Sequence, residues 1–449
     1  MPVFLNPKSK IQNRAMSKLA ITGGSPVRTE AQTPWPQFDD RERRGLIEVL
    51  ESRNWGGYPF PNRLAALFSR RFAEYHDSKY ALCAANGTVT LEIALKAVGI
   101  KPGDEVIVPA YTFEATAVPV LRLGAIPVFV DVLPTTYCVD PEAVEAAITP
   151  RTRAMIPVHL AMNMADMDSL GEIAAKSGLK IVEDCAHAHG ARWRGRGAGS
   201  LGDAGSFSMQ TSKLMSSGEG GVVTTGDDQV FELCQSYVNC GRASQTDRFG
   251  GRIVGFNYRM TEFQAAILLS QLERLPEQTE LRQVRAARLA AGLAEISGVS
   301  LLESDRRLTS QAIYQFVFKY DAGQFGGSSR DRFVAALEAE GIQCDGLFYE
   351  PIYRSALFRV DPSDFPYLEV PGAQGLPWRN AHCPVAERAA YEESVWLPHQ
   401  LLLGSDRDVD QIVEAVSKIR DNIDELLSAE HRLIEIKQMN RAERPRFET

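Results

Sequence analysis

The chain of 449 residues is 44% hydrophobic, yet it has no uninterrupted apolar run near the roughly 18 residues that a membrane span requires. Its first residues, Met1-Pro2-Val3-Phe4-Leu5-Asn6, lack the apolar stretch of a signal peptide, so a soluble protein of the cytoplasm is expected. Cysteine is sparse: the seven, at positions 83, 138, 185, 234, 240, 344 and 383, form no C-x-x-C pair. That argues against a disulfide framework or a zinc ribbon and fits a reducing compartment. Basic residues number 49 against 57 acidic ones, a net charge of -8. With no basic run long enough to track a phosphate backbone, nucleic acid is not an expected partner. There is no internal repeat and no low-complexity tract. Asn86-Gly87-Thr88 matches the glycosylation sequon, which means nothing without a secretory route. What remains is a globular chain able to bury a large core, with a length that suggests two or three domains.

From about residue 79 to 225, short β-rich runs alternate with helical patterns, the signature of a parallel sheet covered by helices. Strands are expected at 80–84, 105–108, 126–132, 154–160 and 180–184, with helices at 88–98, 113–123, 141–148 and 167–177. Two further strands, 205–210 and 221–225, are separated by too short a connection for a helical crossover, so at least one should run antiparallel. A charged helical stretch over 260–297, interrupted at Pro276, leads to a smaller second domain with strands at 312–318 and 395–397 and helices at 329–340 and 406–422. The expected division is an N-terminal segment 1–45, a large domain 46–297, a small domain 298–425 and a charged tail 426–449.

One lysine stands out. Lys213 is enclosed by small residues between Ser206-Phe207-Ser208 and Gly218-Glu219-Gly220-Gly221. An amine held still in that setting suits a Schiff base, although an arbitrary lysine is a solvated loop residue. Pyridoxal chemistry also needs an anion cradle, an acid at the ring nitrogen, a flat apolar surface and a way to exclude water. Asn86-Gly87-Thr88 lies at a strand-to-helix junction, where unpaired N–H groups and the helix dipole favour a phosphate and Gly87 permits close approach. The same residues serve equally well as a helix cap. Asp184 ends the strand Lys180-Ile181-Val182-Glu183-Asp184, at the sheet edge where ligands bind, and a carboxylate there keeps a pyridine nitrogen protonated. A turn or cap is its competing use, and alternation sends Glu183 to the opposite face. Phe113, after another strand end, is a candidate to stack on the ring, core packing being the commoner use of phenylalanine. His187 and His189, with Cys185 beside them, raise a metal site, but an H-x-H pair without a third ligand is weak, and His187 is better placed near a cofactor. Gly197, Gly199 and Gly202 satisfy G-x-G-x-x-G, yet they run into a strand rather than a helix and are read as a turn.

Taken in order, these blocks resemble the fold-type I pyridoxal phosphate enzymes, and among them the DegT/DnrJ/StrS family of sugar and cyclitol aminotransferases, over roughly residues 35 to 425. Val108-Pro109-Ala110-Tyr111-Thr112-Phe113, Pro157-Val158-His159, Glu183-Asp184-Cys185-Ala186-His187 and Gly255-Phe256-Asn257-Tyr258-Arg259-Met260-Thr261-Glu262 carry the resemblance together with the lysine loop and Asn86-Gly87-Thr88. It implies an α/β fold, a mainly parallel seven-stranded sheet in the large domain and a smaller α+β C-terminal domain. It implies pyridoxal 5'-phosphate bound as a Schiff base on Lys213, with Asp184 at the ring nitrogen, Phe113 stacked and His187 nearby. Gly87, Thr88 and Ser208 would hold the phosphate, and Asn257 would reach it from the neighbouring subunit of a homodimer with shared active sites. No metal is implied. Trp193-Arg194-Gly195-Arg196, Ser208-Met209-Gln210 and Trp396-Leu397-Pro398-His399 are similar to glutamine-dependent scyllo-inosose and deoxy-scyllo-inosose aminotransferases and to aminohydroxybenzoate synthase. Many nucleotide-sugar members carry a histidine where this chain has Phe348-Tyr349-Glu350-Pro351-Ile352-Tyr353-Arg354, which leans toward a free cyclitol.

The expected activity is transfer of an amino group from glutamine or glutamate to a keto-cyclitol or keto-sugar. A dehydratase on the same scaffold, a non-catalytic cofactor-binding regulator and a nicotinamide oxidoreductase are the alternatives. Family dehydratases replace the lysine, which this chain keeps.

Overall fold

The computed structural model describes residues 18–242, 253–360, 376, 378–379 and 381–428. The first strands are β1 (Tyr80–Ala84), β2 (Glu105–Pro109), β3 (Ile126–Val130), β4 (Thr152–Met155) and β5 (Lys180–Asp184). A hairpin of two-residue strands, β6 (Arg192–Trp193) and β7 (Arg196–Gly197), precedes β8 (Ala204–Ser208) and β9 (Gly221–Thr225). Seven of these strands form one sheet in the order β1-β9-β8-β5-β4-β2-β3. Its neighbours are parallel except at β9, which runs antiparallel to both β1 and β8. The reversal follows from the short lysine loop: Ser208 pairs directly with Gly221, and a chain that turns back within one loop returns antiparallel.

Helices cover the sheet, so its strands read as apolar runs; Val106, Ile107 and Val108 are buried to 1% exposure or less. The parallel strands β1, β2, β5 and β8 all end at one edge of the sheet. That edge gathers Asn86-Gly87, Thr112-Phe113, Asp184 and Ser208, which are distant in sequence.

The strands expected at 154–160 and 312–318 are Thr152–Met155 and Gln315–Tyr320, and two expected helices differ in continuity. The helix expected over 113–123 is a 3-10 turn, Glu114–Thr116, followed by a five-residue helix, Val118–Arg122, because Pro119 cannot donate a backbone hydrogen bond and restarts the segment. The break expected at Pro276 does not occur: Glu262–Leu293 is one continuous helix. It packs on the helices Asp40–Ser52, Arg63–Tyr75 and Asp406–Asp421. Burying Leu268, Leu272, Leu275, Leu289 and Leu293 stabilises it by roughly 1.5–3 kcal/mol each, outweighing the roughly 3 kcal/mol cost of an interior proline. Its start is doubly fixed. Thr261 and Gln264 form a capping box, and the buried Glu262 carboxylate accepts the N–H groups of Leu64 and Ala65 at the start of Arg63–Tyr75.

Beyond this helix, β10 (Val299–Leu301), β12 (Gln315–Tyr320) and β13 (Ser394–Pro398) make a small antiparallel sheet. β11 (Leu308–Ser310) reaches back to pair with β6. The helices Arg330–Ala339 and Asp406–Asp421 fall within a residue of expectation. The N-terminal segment is stitched to this layer by Glu340, which accepts the N–H groups of Ala20 and Val27 and the Lys418 ammonium. Of the expected tail, Leu426–Ser428 closes the helix Ile423–Ser428, and residues from 429 lie outside the described ones. No helix among the described residues is long and apolar enough to cross a membrane.

Candidate active site

The sheet edge opens into a cavity of about 880 Å³, a size suited to a cofactor with a small substrate. Lys213, Asp184, His187 and Phe113 line it, as do Gly87, Thr88 and Ser208. Asn257 does not: it is exposed and bridges to Asn239.

Of the two uses open to Asn86, the structure shows the cap. Its side chain accepts the Val89 N–H at 3.0 Å, leaving the earlier N–H groups of the helix Gly87–Ala97 for another acceptor. A Cβ on Gly87 would fall 2.6 Å from the Ser208 Cβ, so only glycine lets β8 approach the helix start this closely. The result is a backbone cradle with the Thr88 and Ser208 side chains on its rim.

Across the cavity, Asp184 is 5% exposed and fixed through both oxygens. Oδ2 accepts the Thr116 hydroxyl at 2.8 Å and Oδ1 accepts the Ala186 N–H at 3.1 Å. Burial raises its pKa above the usual carboxylate value, opposed by those hydrogen bonds and by the Lys213 charge. A cationic ring nitrogen facing it would restore the ionised form. Phe113 lines the cavity and is 52% exposed, unusual for a phenylalanine packed for its own sake.

Lys213 is 9% exposed, and its ammonium lies 4.5 Å from the ring centroid of Tyr314 rather than against a carboxylate. Tyr314 stacks on His187 at 4.1 Å, and its hydroxyl meets Ser212 Oγ at 2.8 Å. The Ala161 N–H donates to His187 Nδ1, so the ring proton sits on Nε2 and donates to the Tyr349 hydroxyl at 3.1 Å. Thr116, Tyr314 and Tyr349 were not among the expected site residues. Thr116 carries no local pattern, and the two tyrosines come from the residue before β12 and from the segment after the helix Arg330–Ala339, brought in by tertiary packing alone.

The glycine pattern discounted as a turn binds an anion, but one belonging to the chain. The N–H groups of Gly199, Leu201 and Gly202 donate to the fully buried Glu183 at 2.9, 2.7 and 2.7 Å. His159 completes the set: Ala165 N–H occupies its Nδ1, so Nε2 donates to Glu183 at 3.0 Å. A nicotinamide pyrophosphate has no room there. His159, Glu183 and Cys185 lie close enough to hold a metal ion, but the histidine and carboxylate are committed to these hydrogen bonds, and burial keeps the Cys185 thiol protonated.

Burial also lowers the pKa of four histidines, His76 to about 4 and His187, His189 and His399 well below the usual value. Unfolded, each takes up a proton near pH 6.5, so the unfolded state binds more protons below that pH. Stability is therefore expected to fall as pH drops below about 6.5, by up to about 1.4 kcal/mol per pH unit for each histidine. Urea midpoints measured near neutrality and near pH 5.5 check this; equal midpoints would mean that the four rings titrate as if exposed.

The glycine-lined cradle, the fixed acid, the exposed aromatic face and the buried lysine fit pyridoxal 5'-phosphate end to end. Fold and site together define a fold-type I pyridoxal phosphate enzyme. Residues 36–417 match the DegT/DnrJ/EryC1/StrS aminotransferase family. The chain is 47% identical over 413 residues to a Streptoalloteichus tenebrarius protein assigned as an L-glutamine:3-amino-2,3-dideoxy-scyllo-inosose aminotransferase, covering 91% of this chain and 99% of that one. It is 38% identical over 429 residues to the L-glutamine:scyllo-inosose aminotransferase of Streptomyces griseus, covering 91% and 99%. The crystal structure of 3-amino-5-hydroxybenzoic acid synthase superposes with a TM-score of 0.77 at 36% identity, over 88% of this chain and 98% of that one. The chain belongs to the DegT/DnrJ/EryC1/StrS aminotransferase family and is a pyridoxal-phosphate-dependent aminotransferase.

Proposed function

We propose that the enzyme moves the amino group of glutamine onto the ketone of a cyclitol of the scyllo-inosose type. The observation that carries this reading is likeness over nearly the whole chain, between 37% and 47% identical, to relatives whose names specify glutamine and a scyllo-inosose. The cavity supports a neutral acceptor. Its basic side chains among the described residues are Lys213 and Arg122, and Arg122 is paired with Glu92 at 2.9 Å, whereas a diphosphate calls for free guanidinium groups. In the segment where nucleotide-sugar enzymes carry a histidine, Phe348 and Tyr349 face the cavity and Tyr353 turns its hydroxyl to Glu387.

Bound here, pyridoxal phosphate supplies the carbonyl that takes up the amino group and a ring that stores the electron pair of the broken C–H bond. The N–H groups at Gly87 and Thr88, with the Thr88 and Ser208 hydroxyls, would hold the phosphate. Asp184 would keep the ring nitrogen protonated, and Phe113 would cover one face. Lys213 Nζ takes the α-proton from the donor and later delivers a proton to the carbon that gains the nitrogen. His187, neutral because it is buried, orients the Tyr349 hydroxyl toward the acceptor.

The test is amination of a panel of free keto-cyclitols and nucleotide-linked keto-sugars, with glutamine and glutamate as donors. Turnover of a scyllo-inosose with glutamine is expected; turnover confined to nucleotide-linked sugars would refute the acceptor. The exposed position of Asn257, outside the cavity of its own chain, suits a role at the phosphate of a second copy. Mixing inactive Lys213→Ala subunits with Asn257→Ala subunits is then expected to restore activity in the heterodimers. No restoration, or a monomeric enzyme by sedimentation, would remove the shared site.

A further inference from the structure

Beneath the lysine loop, away from the catalytic cavity, lies a cationic group without a counter-charge among the described residues. Arg282, on the helix Glu262–Leu293, is 1% exposed, and burial alone pushes its guanidinium down to about 9. Its flat face rests 5.4 Å from the Trp35 ring centroid. An aromatic ring answers the face of a guanidinium but not its in-plane N–H groups. Nη2 reaches Gln278 Oε1 at 3.5 Å, while Nε and Nη1 have no partner among the described residues. His189 and His399 stand close enough for the arginine charge to lower both rings, and they are 0% and 1% exposed. His189 lies against the Ser208 backbone, and Nδ1 of His399 has no partner among the described residues. None of these groups lines the catalytic cavity.

Buried N–H groups need acceptors, and a buried charge needs an opposite one. Water meets the first need and leaves the second. We propose that Arg282 forms a site for one small monovalent anion of chloride size, held by its Nε–H and Nη1–H. The near-zero exposure of Arg282, His189 and His399 excludes larger phosphates and metabolite carboxylates, and a single unpaired cation calls for a single negative charge. The site sits where it braces the catalytic loop. Trp35 Nε1, on the ring that covers Arg282, donates to the Thr211 carbonyl at 2.9 Å. His399, edge-on to Trp35 at 4.5 Å, donates from Nε2 to the Ser212 carbonyl at 3.2 Å. Lys213 follows directly.

Bromide replaces chloride in such sites and scatters anomalously. Crystals of the holoenzyme grown in sodium bromide are expected to show an anomalous peak within hydrogen-bond reach of Arg282 Nε or Nη1. In solution, chloride is expected to raise the thermal midpoint over gluconate at equal ionic strength by roughly 2 °C, and Arg282→Met is expected to lose that difference. Ordered water in place of a bromide peak, or equal midpoints in chloride and gluconate for the native enzyme, would overturn the proposal. If Arg282→Met does not fold, the bromide crystals decide alone, since they require no variant.

Discussion

Replacing Lys213 with alanine is expected to lower glutamine-dependent transamination by at least about 10⁴-fold and to abolish the visible absorbance of lysine-bound cofactor. The size of the effect follows from what surrounds the residue. Its ammonium meets the face of Tyr314, and the titratable neighbours Asp184 and His187 are held by hydrogen bonds of their own, so none replaces its amine as nucleophile. Folding is expected to survive, because the change removes a stem with no ion pair to break. Unchanged circular dichroism and a thermal midpoint within a few degrees would document that. Lys213→Arg makes the sharper control: it keeps a cation of similar reach but supplies neither a nucleophile nor a base near neutral pH. Turnover within tenfold of the native enzyme in either variant would take Lys213 out of the chemistry.

For Asp184→Asn, a loss of roughly 10²–10³-fold in kcat is expected, with the KM for the amino donor little changed. The substitution is nearly isosteric, and the hydrogen bonds dictate how the amide settles. Ala186 N–H can only donate, so the amide oxygen must stay beside it. The amide nitrogen then faces Thr116, whose hydroxyl rotates to accept. Geometry is preserved while the negative charge is lost, and the loss should appear where electrons accumulate during proton removal. Single-turnover rates for the glutamine half-reaction isolate that step. A variant within threefold of native would show that the carboxylate serves the fold and not the ring.

Local chemistry made some of this legible in the sequence and left other parts hidden. The alternation of short apolar runs with helical patterns identifies the parallel sheet, because helices on both faces force the strands to be apolar throughout. The reversal at β9 is legible because the loop between Ser208 and Gly221 is too short for a crossover. Residues at strand ends, such as Asp184 and Phe113, could be singled out because the sheet edge is a predictable place for a ligand. Tyr314, Tyr349 and Thr116 could not, since each enters the cavity through packing between parts of the chain that share no local pattern. Pro276 misled for a related reason: its local cost is real, but burial along both halves of the helix outweighs it. The glycine pattern at 197–202 is the turn it was read as, and its N–H groups hold an anion that the pattern alone does not reveal, Glu183 from the adjacent strand.

The loop between Ser208 and Gly221 is closed by the hydrogen bond from Met209 N–H to the Gly220 carbonyl, at 2.8 Å. Within it, the Lys213 N–H donates to the Gln210 carbonyl, and the Gln210 side chain accepts from the Ser212 N–H. Closing so small a ring of chain costs entropy only once, when the protein folds, and the loss grows only with the logarithm of loop length. An amine on a free loop would lose that freedom each time a ligand arrived, weakening the affinity for the ligand by the same amount. Here the loop's own hydrogen bonds hold the Lys213 segment, so its ordering is a cost of folding and not of binding.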